Sequence, residues 1–133
     1  MATVRSLGDA FAILKPDLRV DTLDVTPEIY AQLDAEFAQF KDHVLISLYR
    51  FESDWPTWER HPAGNELVLL LSGSATLILF QDGERTEVVL DRPQQYVVVP
   101  VDCWHTAKVD EPTTMLFITP GEGSENVALP PGA

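Results

Sequence analysis

Two glutamates and two histidines in this sequence have types and spacings that could bind a metal ion. Glu59 and His61 are separated by one residue, so both side chains point to the same side if that stretch is extended. Glu66 follows after a turn-forming segment and can fold back beside His61, and His105 comes later, after a strand-like run that ends in proline. Two imidazoles and two carboxylates form a ligand set that suits a divalent first-row metal such as Zn, Fe, Mn, Co or Ni.

The spacing of these residues resembles the two sequence motifs of the cupin family. The first motif contains a His-x-His pair, a Glu five residues after the second His, and a Gly seven residues after that Glu. His61, Glu66 and Gly73 match those positions. The second motif contains a Pro followed five residues later by a His, which Pro100 and His105 match. The resemblance implies a double-stranded β-helix, also called a jelly-roll or cupin barrel, with the metal inside.

The resemblance covers residues 43–120 and includes a Trp-Glu-x-His-Pro unit that is similar to one found in a subset of small cupins. The chain departs from the motifs at three positions. Glu59 replaces the first His of the pair, and Gln94 and Asp102 replace glycines. We expect the two glycine replacements to affect turns and not the fold. A carboxylate can still bind a metal, so Glu59 remains in the predicted set.

The predicted metal ligands are therefore Glu59, His61, Glu66 and His105, and the hard oxygen donors of two carboxylates favour Fe, Mn or Zn over Cu as the divalent ion. Without a metal or a cationic partner, the buried carboxylates should have raised pKa values. The resemblance implies a metal-dependent protein that acts on a small molecule, with dioxygenase and isomerase as the leading reaction classes. A non-catalytic ligand-binding or sensor cupin is the alternative, and a storage cupin is a third. A solvated charge cluster with structural histidines also remains open from the residues alone.

Other reactive side chains are predicted to have structural roles. His43 has no neighbour at ligand spacing, so we interpret it as a strand residue. A Cys103–His105 nucleophile is disfavoured because the acidic sequence offers no cationic setting for a thiolate. Trp58 and Trp104 each adjoin a candidate ligand, so on a strand they should point away from the site and pack elsewhere.

From His43 onward the hydrophobic pattern is that of strands. Asp82-Gly83 is a two-residue hairpin signal. Short strands at regular spacing, punctuated by Pro and Gly, predict an all-β sandwich or small barrel. The predicted strands are His43–Phe51, Glu66–Ser72, Ala75–Phe80, Thr86–Leu90, Tyr96–Val99, His105–Val109 and Met115–Thr119.

The N-terminal third predicts two extended segments and one helix packed outside the barrel. The extended segments are Phe11–Leu14 and Leu18–Val25. The helix is predicted over residues 27–40, with Thr26 as N-cap and Pro27 at the first helical position. Its apolar face consists of Ile29, Leu33, Phe37 and Phe40.

We therefore expect one cupin domain over residues 1–133. Residues 1–42 form an N-terminal arm and helix, residues 43–120 form the barrel, and residues 121–133 form a tail that is loosely ordered at its end.

Composition excludes several classes of function. The 133 residues carry 9 Lys and Arg against 21 Asp and Glu, a net charge of −12, which argues against nucleic acid and anionic membranes as partners. A single cysteine excludes an intrachain disulfide and a four-cysteine zinc site. The first residues lack an apolar signal-peptide core, so we expect a cytoplasmic protein. We also expect a homodimer, partly from the resemblance and partly because Leu18–Val25 could cover an open sheet edge.

Overall fold

The computed structural model describes residues 3–133, which fold into two antiparallel sheets around an apolar core. The strands and the helix follow one another along the chain as β1 Ala10–Leu14, β2 Val20–Asp24, α1 Ile29–Glu36, β3 Val44–Phe51, β4 Trp58–Arg60, β5 Glu66–Ser72, β6 Ala75–Gln81, β7 Glu84–Leu90, β8 Tyr96–Val99, β9 Trp104–Lys108, β10 Thr113–Thr119 and β11 Glu125–Val127. The predicted all-β architecture is confirmed.

The two sheets interleave strands that are distant in sequence. Within residues 3–133, one sheet has the order β2-β1-β3-β10-β5-β8 and the other has the order β11-β4-β9-β6-β7. The chain therefore passes repeatedly from one sheet to the other, as a double-stranded β-helix requires. This topology brings β4 and β9 of one sheet opposite β5 of the other, and these three strands position the predicted ligands.

Alternation of side chains along β5 fixes which face is interior. Glu66, Val68 and Leu70 are fully buried, while Leu67 and Leu69 between them are half-buried on the opposite face. Each buried aliphatic side chain of this size contributes about 1.5–3 kcal/mol relative to an exposed one. The strand thus presents one glutamate to the interior within an otherwise apolar row.

The helix is shorter than predicted. It runs from Ile29 to Glu36, and Thr26 does not cap it; the N-cap residue is Glu28, whose side chain makes no capping hydrogen bond. The helix stops because residues 38–40 adopt a left-handed turn with φ of 53°, 55° and 60°. The 3.6-residue pattern could not reveal this turn.

The apolar residues predicted for the helix face nevertheless pack onto the barrel. Ile29, Leu33 and Phe40 are buried against Phe11 and Leu45 of β1 and β3. Phe37 is only partly buried. Leu45 shares a strand face with Ser47 and Tyr49, which line the interior cavity described below. The helix therefore covers the barrel interior from one side.

The two N-terminal extended segments pair with each other. Strand β2 is antiparallel to β1, with Leu23 opposite Phe11, and β1 in turn pairs with β3. The segment that we expected could cover a sheet edge thus covers β1 and is itself an edge strand of the six-stranded sheet. A further short strand, Glu125–Val127, pairs with β4 in the region predicted as a loose tail.

Three tight turns follow the motif positions. Gly73 has φ of +82°, and a Cβ there would lie 2.4 Å from the carbonyl oxygen of Pro112. Gln94 and Asp102 replace motif glycines and still adopt φ of 78° and 60°. Both residues thus adopt the left-handed conformation that glycine favours, so the turns form although we expected the replacements to affect them. The fold is tolerant of the replacements, as expected. In the described part of the chain, no helix is long and apolar enough to cross a membrane.

Candidate metal centre

Strands from both sheets bring the four predicted ligands together. Glu59 lies on β4 directly opposite His105 on β9, and His61 follows β4 by one residue. Glu66 enters from β5 in the other sheet. One candidate ligand atom from each residue lies within 4.8 Å of the other three. The predicted convergence of these side chains is thus present in the fold.

The shortest contacts centre on Glu66. Its Oε1 lies 2.9 Å from Nε2 of His105, and its Oε2 lies 3.2 Å from Nε2 of His61. Glu59 Oε2 is more distant, at 3.8 Å from His61 Nε2 and 4.0 Å from His105 Nε2. Thr119 Oγ1 donates a hydrogen bond of 2.6 Å to Glu66 Oε2. Glu66 is therefore held from three sides, and Glu59 is the loosest member.

The second ring nitrogen of each histidine is held from outside the cluster. His105 Nδ1 donates to the carbonyl oxygen of Cys103 at 3.0 Å. His61 Nδ1 lies 2.7 Å from Ser124 Oγ, and because that hydroxyl donates its own proton to Gly121, it must accept the proton from Nδ1. Both Nε2 atoms are then directed at the carboxylates. His61 Nε2 is buried and, within residues 3–133, makes no hydrogen bond of good geometry, although Glu66 Oε2 lies 3.2 Å away.

His105 has an acceptor at each ring nitrogen. The Cys103 carbonyl takes the Nδ1 proton, and the Glu66 carboxylate faces Nε2. A neutral imidazole carries only one proton, so the second contact requires either another proton or a metal ion. The cluster as a whole combines two carboxylates with two imidazoles, and it is balanced by two protons or by one divalent cation.

The pKa values of the two carboxylates in the cluster shift in opposite directions. Burial and the Glu66 charge raise the pKa of Glu59, although both histidines oppose the shift. Burial also favours neutral Glu66, but its contacts with His105 and His61 outweigh burial and lower its pKa to about 2. Burial disfavours the charged form of His105, yet Glu66 outweighs it and raises the His105 pKa. Raised carboxylate pKa values were expected, and Glu66 departs from that expectation because two imidazoles contact it.

The contact distances fit one ion among the four residues. Two donor atoms that each lie about 2.1 Å from a metal are about 3.0 Å apart at a right angle and about 4.2 Å apart when opposed. The two contacts of Glu66 match adjacent donors, and the two contacts of Glu59 fall between the limits. With the unpartnered Nε2 of His61 aimed at the same point, the donor set suits a divalent cation.

A cavity of about 670 Å³ adjoins the cluster. Its volume lies within the range of small-molecule sites. Glu59, His61 and Glu66 line it, as does Tyr30 of α1. The Glu59 side chain is 32% exposed, whereas Glu66 and His105 are 2% and 0% exposed. A molecule that enters the cavity therefore meets the cluster from the Glu59 side.

The sequence analysis did not identify the residues that form hydrogen bonds to the candidate ligands. Thr119 could have been found, because Met115, Phe117 and Thr119 alternate along one predicted strand and so share the inner face. Ser124 offers no such signal, since it lies in the tail and reaches His61 only through the pairing of β11 with β4.

The other candidate residues lie outside the cluster. His43 packs between the rings of Phe37 and Phe40 and contacts the Lys41 carbonyl through Nδ1. Cys103 is buried, and burial raises the pKa of its thiol, which does not favour a nucleophile.

Trp58 and Trp104 point away from the candidate ligands, as predicted. They pack with Ile78 and Phe80 in a separate apolar cluster on the outer face of the five-stranded sheet. The guanidinium of Arg60 lies 4.6 Å from the centre of the Trp104 ring, and that of Arg85 lies 5.4 Å from the centre of the Trp58 ring.

Comparison with known proteins bears on the fold. No protein-family model and no protein of curated function matches the sequence. A cupin superfamily protein from Desulfitobacterium hafniense is 30% identical over 57% of this chain and 65% of its own, with a TM-score of 0.47. A cupin-2 domain protein from Shewanella frigidimarina is 19% identical over 58% of this chain and 70% of its own, with a TM-score of 0.49.

Oxalate decarboxylase from Bacillus subtilis is 23% identical over 65% of this chain, with a TM-score of 0.53. The match covers 23% of the decarboxylase chain and 65% of the Desulfitobacterium chain, which is less than two thirds of either protein. At this identity the likeness concerns the arrangement of strands and not the chemistry. This chain therefore has the fold of the matched part of the decarboxylase, and the cupin superfamily proteins found in the comparison are similar to it.

Proposed function

We propose that this chain binds a divalent metal ion through Glu59, His61, Glu66 and His105 and acts on a small molecule in the adjoining cavity. The reaction is dioxygenase-like or isomerase-like, in keeping with the family resemblance. Fe, Mn and Zn are the favoured ions, because two carboxylates supply harder donors than a set of histidines alone. When bound, such an ion supplies Lewis-acid or redox chemistry to the small molecule.

One observation carries this proposal: His105 faces an acceptor at both ring nitrogens. A buried, neutral imidazole cannot satisfy both, and a metal ion between Nε2 and Glu66 would remove the conflict. Other groups of the chain would then orient the ligands and shield the site. Ser124 and the Cys103 carbonyl fix the tautomers of His61 and His105, and the helix limits access of water to the cavity.

Metal content measured by mass spectrometry tests the proposal. We expect near-stoichiometric metal in the wild type after reconstitution and loss of metal in His61→Ala and His105→Ala. His43→Ala is the matched control, because His43 is also a buried histidine but lies outside the cluster. A wild type that binds no metal, or a His43→Ala loss equal to the other two, would overturn the proposal.

Turnover distinguishes an enzyme from the non-catalytic alternative. A metal-loaded protein that converts a bound small molecule supports the enzymatic function. Tight binding of the same molecule without conversion would identify a ligand-binding or sensor protein with the same metal centre.

We further propose that two copies of the chain associate through the outer face of the six-stranded sheet. We define this outer face by the outward-pointing residues Ile46, Leu48, Leu67, Leu69, Tyr96, Val98, Leu116 and Ile118. These residues are neighbours across the strand pairs, since Leu116 lies opposite both Leu48 and Leu69. They are half-buried or exposed and carry no charge.

A second copy of the chain is the occupant that this surface favours. Two chains of net charge −12 repel each other, so a stable contact requires a surface free of carboxylates. The outer face meets this condition, and in a two-fold dimer it would contact its own copy. We also propose that residues 1–133 form one cytoplasmic domain, with neither nucleic acid nor membrane as a partner, in keeping with the strong negative charge.

A further inference from the structure

Aromatic rings form the wall of the cavity beside the candidate metal centre. Tyr49, Phe51, Trp55 and Phe117 line it together. Neighbouring ring centroids in this cluster lie 5.3 to 6.1 Å apart. The Trp55 ring is also 6.2 Å from the His105 ring. A flat molecule in the cavity can therefore pack against aromatic surface next to the cluster.

The acidic side chains of the cavity make it unfavourable for anions. Asp34 borders the cavity in addition to Glu59 and Glu66, and none of the lining side chains from residues 3–133 is Lys or Arg. A divalent ion or protonated histidines would balance the two glutamates but not Asp34. An entering carboxylate would lose hydration without gaining a cationic side chain, which is energetically costly unless a bound metal ion ligates it.

The remaining polar groups of the cavity are uncharged. Ser47, Thr57, Gln39 and Asn126 line it at other points. Hydroxyl and amide side chains can pair with hydroxyl, carbonyl or amide groups of a ligand in either direction, because they offer both donors and acceptors. Uncharged polar substituents on an aromatic ring would find partners here.

We propose that the cavity selects uncharged aromatic molecules with hydroxyl or amide substituents and discriminates against carboxylates of the same shape. This inference rests on the proposed function for the identity of the site, and it specifies the ligand class. It sets this chain apart from the decarboxylase of similar fold, whose name indicates the dianion oxalate as its substrate.

A matched pair of probes tests the selection. 3-Hydroxybenzamide and 3-hydroxybenzoate have nearly the same shape and differ in charge. We expect the amide to bind at least about tenfold more tightly to the chelated, metal-free protein, in which no ion can ligate the carboxylate, measured by calorimetry or tryptophan fluorescence. Equal affinities, or tighter binding of the benzoate or of oxalate, would overturn the inference.

Variants of the cavity test which residues are responsible. Phe51→Leu should weaken binding of the amide by about three- to tenfold, because aromatic pairing is lost. Phe80→Leu is the control, since Phe80 lies in the apolar cluster on the outside of the other sheet. Asp34→Asn should improve benzoate binding about threefold, whereas Glu52→Gln, at an exposed carboxylate outside the cavity lining, should not. The same effect in both members of either pair would contradict the assignment.

Metal content separates failure of this inference from failure of the proposed function. A protein that binds metal but does not prefer the amide refutes the ligand class and leaves the metal centre intact. A protein that prefers the amide without ever binding metal refutes the metal centre and leaves the ligand class intact.

Discussion

His105 is the residue on which the chemistry of the cluster depends. Its Nδ1 is committed to the Cys103 carbonyl, so Nε2 binds either a proton or a metal. Because Glu66 raises the His105 pKa above its ordinary value despite burial, the metal-free protein holds this proton more tightly than a free imidazole does. A metal ion must displace this proton, which couples metal binding to pH.

We therefore expect proton release when zinc binds, and an affinity that rises with pH above 6.5. Calorimetry in buffers of different ionisation enthalpy measures the released protons. The His43→Ala variant should release as many as the wild type. Zinc binding without proton release at pH 6.5 would show that His105 is neutral in the metal-free state.

Glu66 and His105 also give the metal-free protein opposite pH dependences of stability. The pKa of Glu66 falls from 4.5 to about 2 on folding, so its contribution is present above pH 4.5 and is lost as pH falls toward 2. This contribution is on the order of 3 kcal/mol. The pKa of His105 is raised, so its contribution is present below 6.5 and is lost as pH rises through the folded-state pKa.

Urea unfolding of the chelated protein should therefore reveal a loss of stability at both acid and alkaline pH. Zinc should restore the stability at alkaline pH, because the metal replaces the proton on His105. The Glu66→Gln variant should lose the acid-side dependence. In the chelated wild type, unchanged stability between pH 5 and 2 would contradict the Glu66 assignment, and unchanged stability above pH 6.5 would contradict the His105 assignment.

Substitution of Ser124 tests whether its hydrogen bond to Nδ1 orients the His61 imidazole. Ser124→Ala leaves the Nδ1 proton of His61 without its acceptor, and we expect zinc affinity to fall about tenfold. Ser72→Ala, at an exposed serine at the end of β5, should have no effect. Equal zinc affinity in the two variants would mean that the hydroxyl does not orient the imidazole.

At the scale of elements, the turn between β5 and β6 holds the two sheets in register. Gly73→Ala should destabilise the protein by about 3 kcal/mol or more, because both the positive φ and the contact with Pro112 oppose a side chain. Gly83→Ala is the matched control, since Gly83 has φ of +79° but no atom within 4 Å of the added Cβ. We expect it to cost about 1 kcal/mol. Denaturant unfolding measures both, and equal losses would exclude steric contact as the cause.

At the scale of the molecule, we expect a dimer in solution. Leu48→Glu and Leu116→Glu place charges at the centre of the outer face, and each should shift the dimer to monomer in analytical ultracentrifugation. Val89→Glu is the control, because Val89 is an exposed apolar residue on the other sheet. A monomeric wild type at micromolar concentration would refute the dimer, and dissociation by Val89→Glu would refute the assigned face.

The sequence alone determined most of the barrel strands, but not β4 or β11, and it determined the three candidate ligands that match the motifs. Period-two and continuous apolar runs predicted β5 and β8 with their observed bounds, because both signals are local to the strand. The spacing of His61, Glu66 and His105 predicted that they would converge. Glu59 followed from its place beside His61 on the same strand face.

The tertiary structure decided what surrounds those residues. The tail reaches His61 through β11, and the left-handed turn at residues 38–40 ends the helix where a continued helical period was expected. Neither feature has a local signal, because each depends on contacts between distant parts of the chain. The same is true of the pKa of Glu66, which depends on two histidines from different strands and not on burial alone.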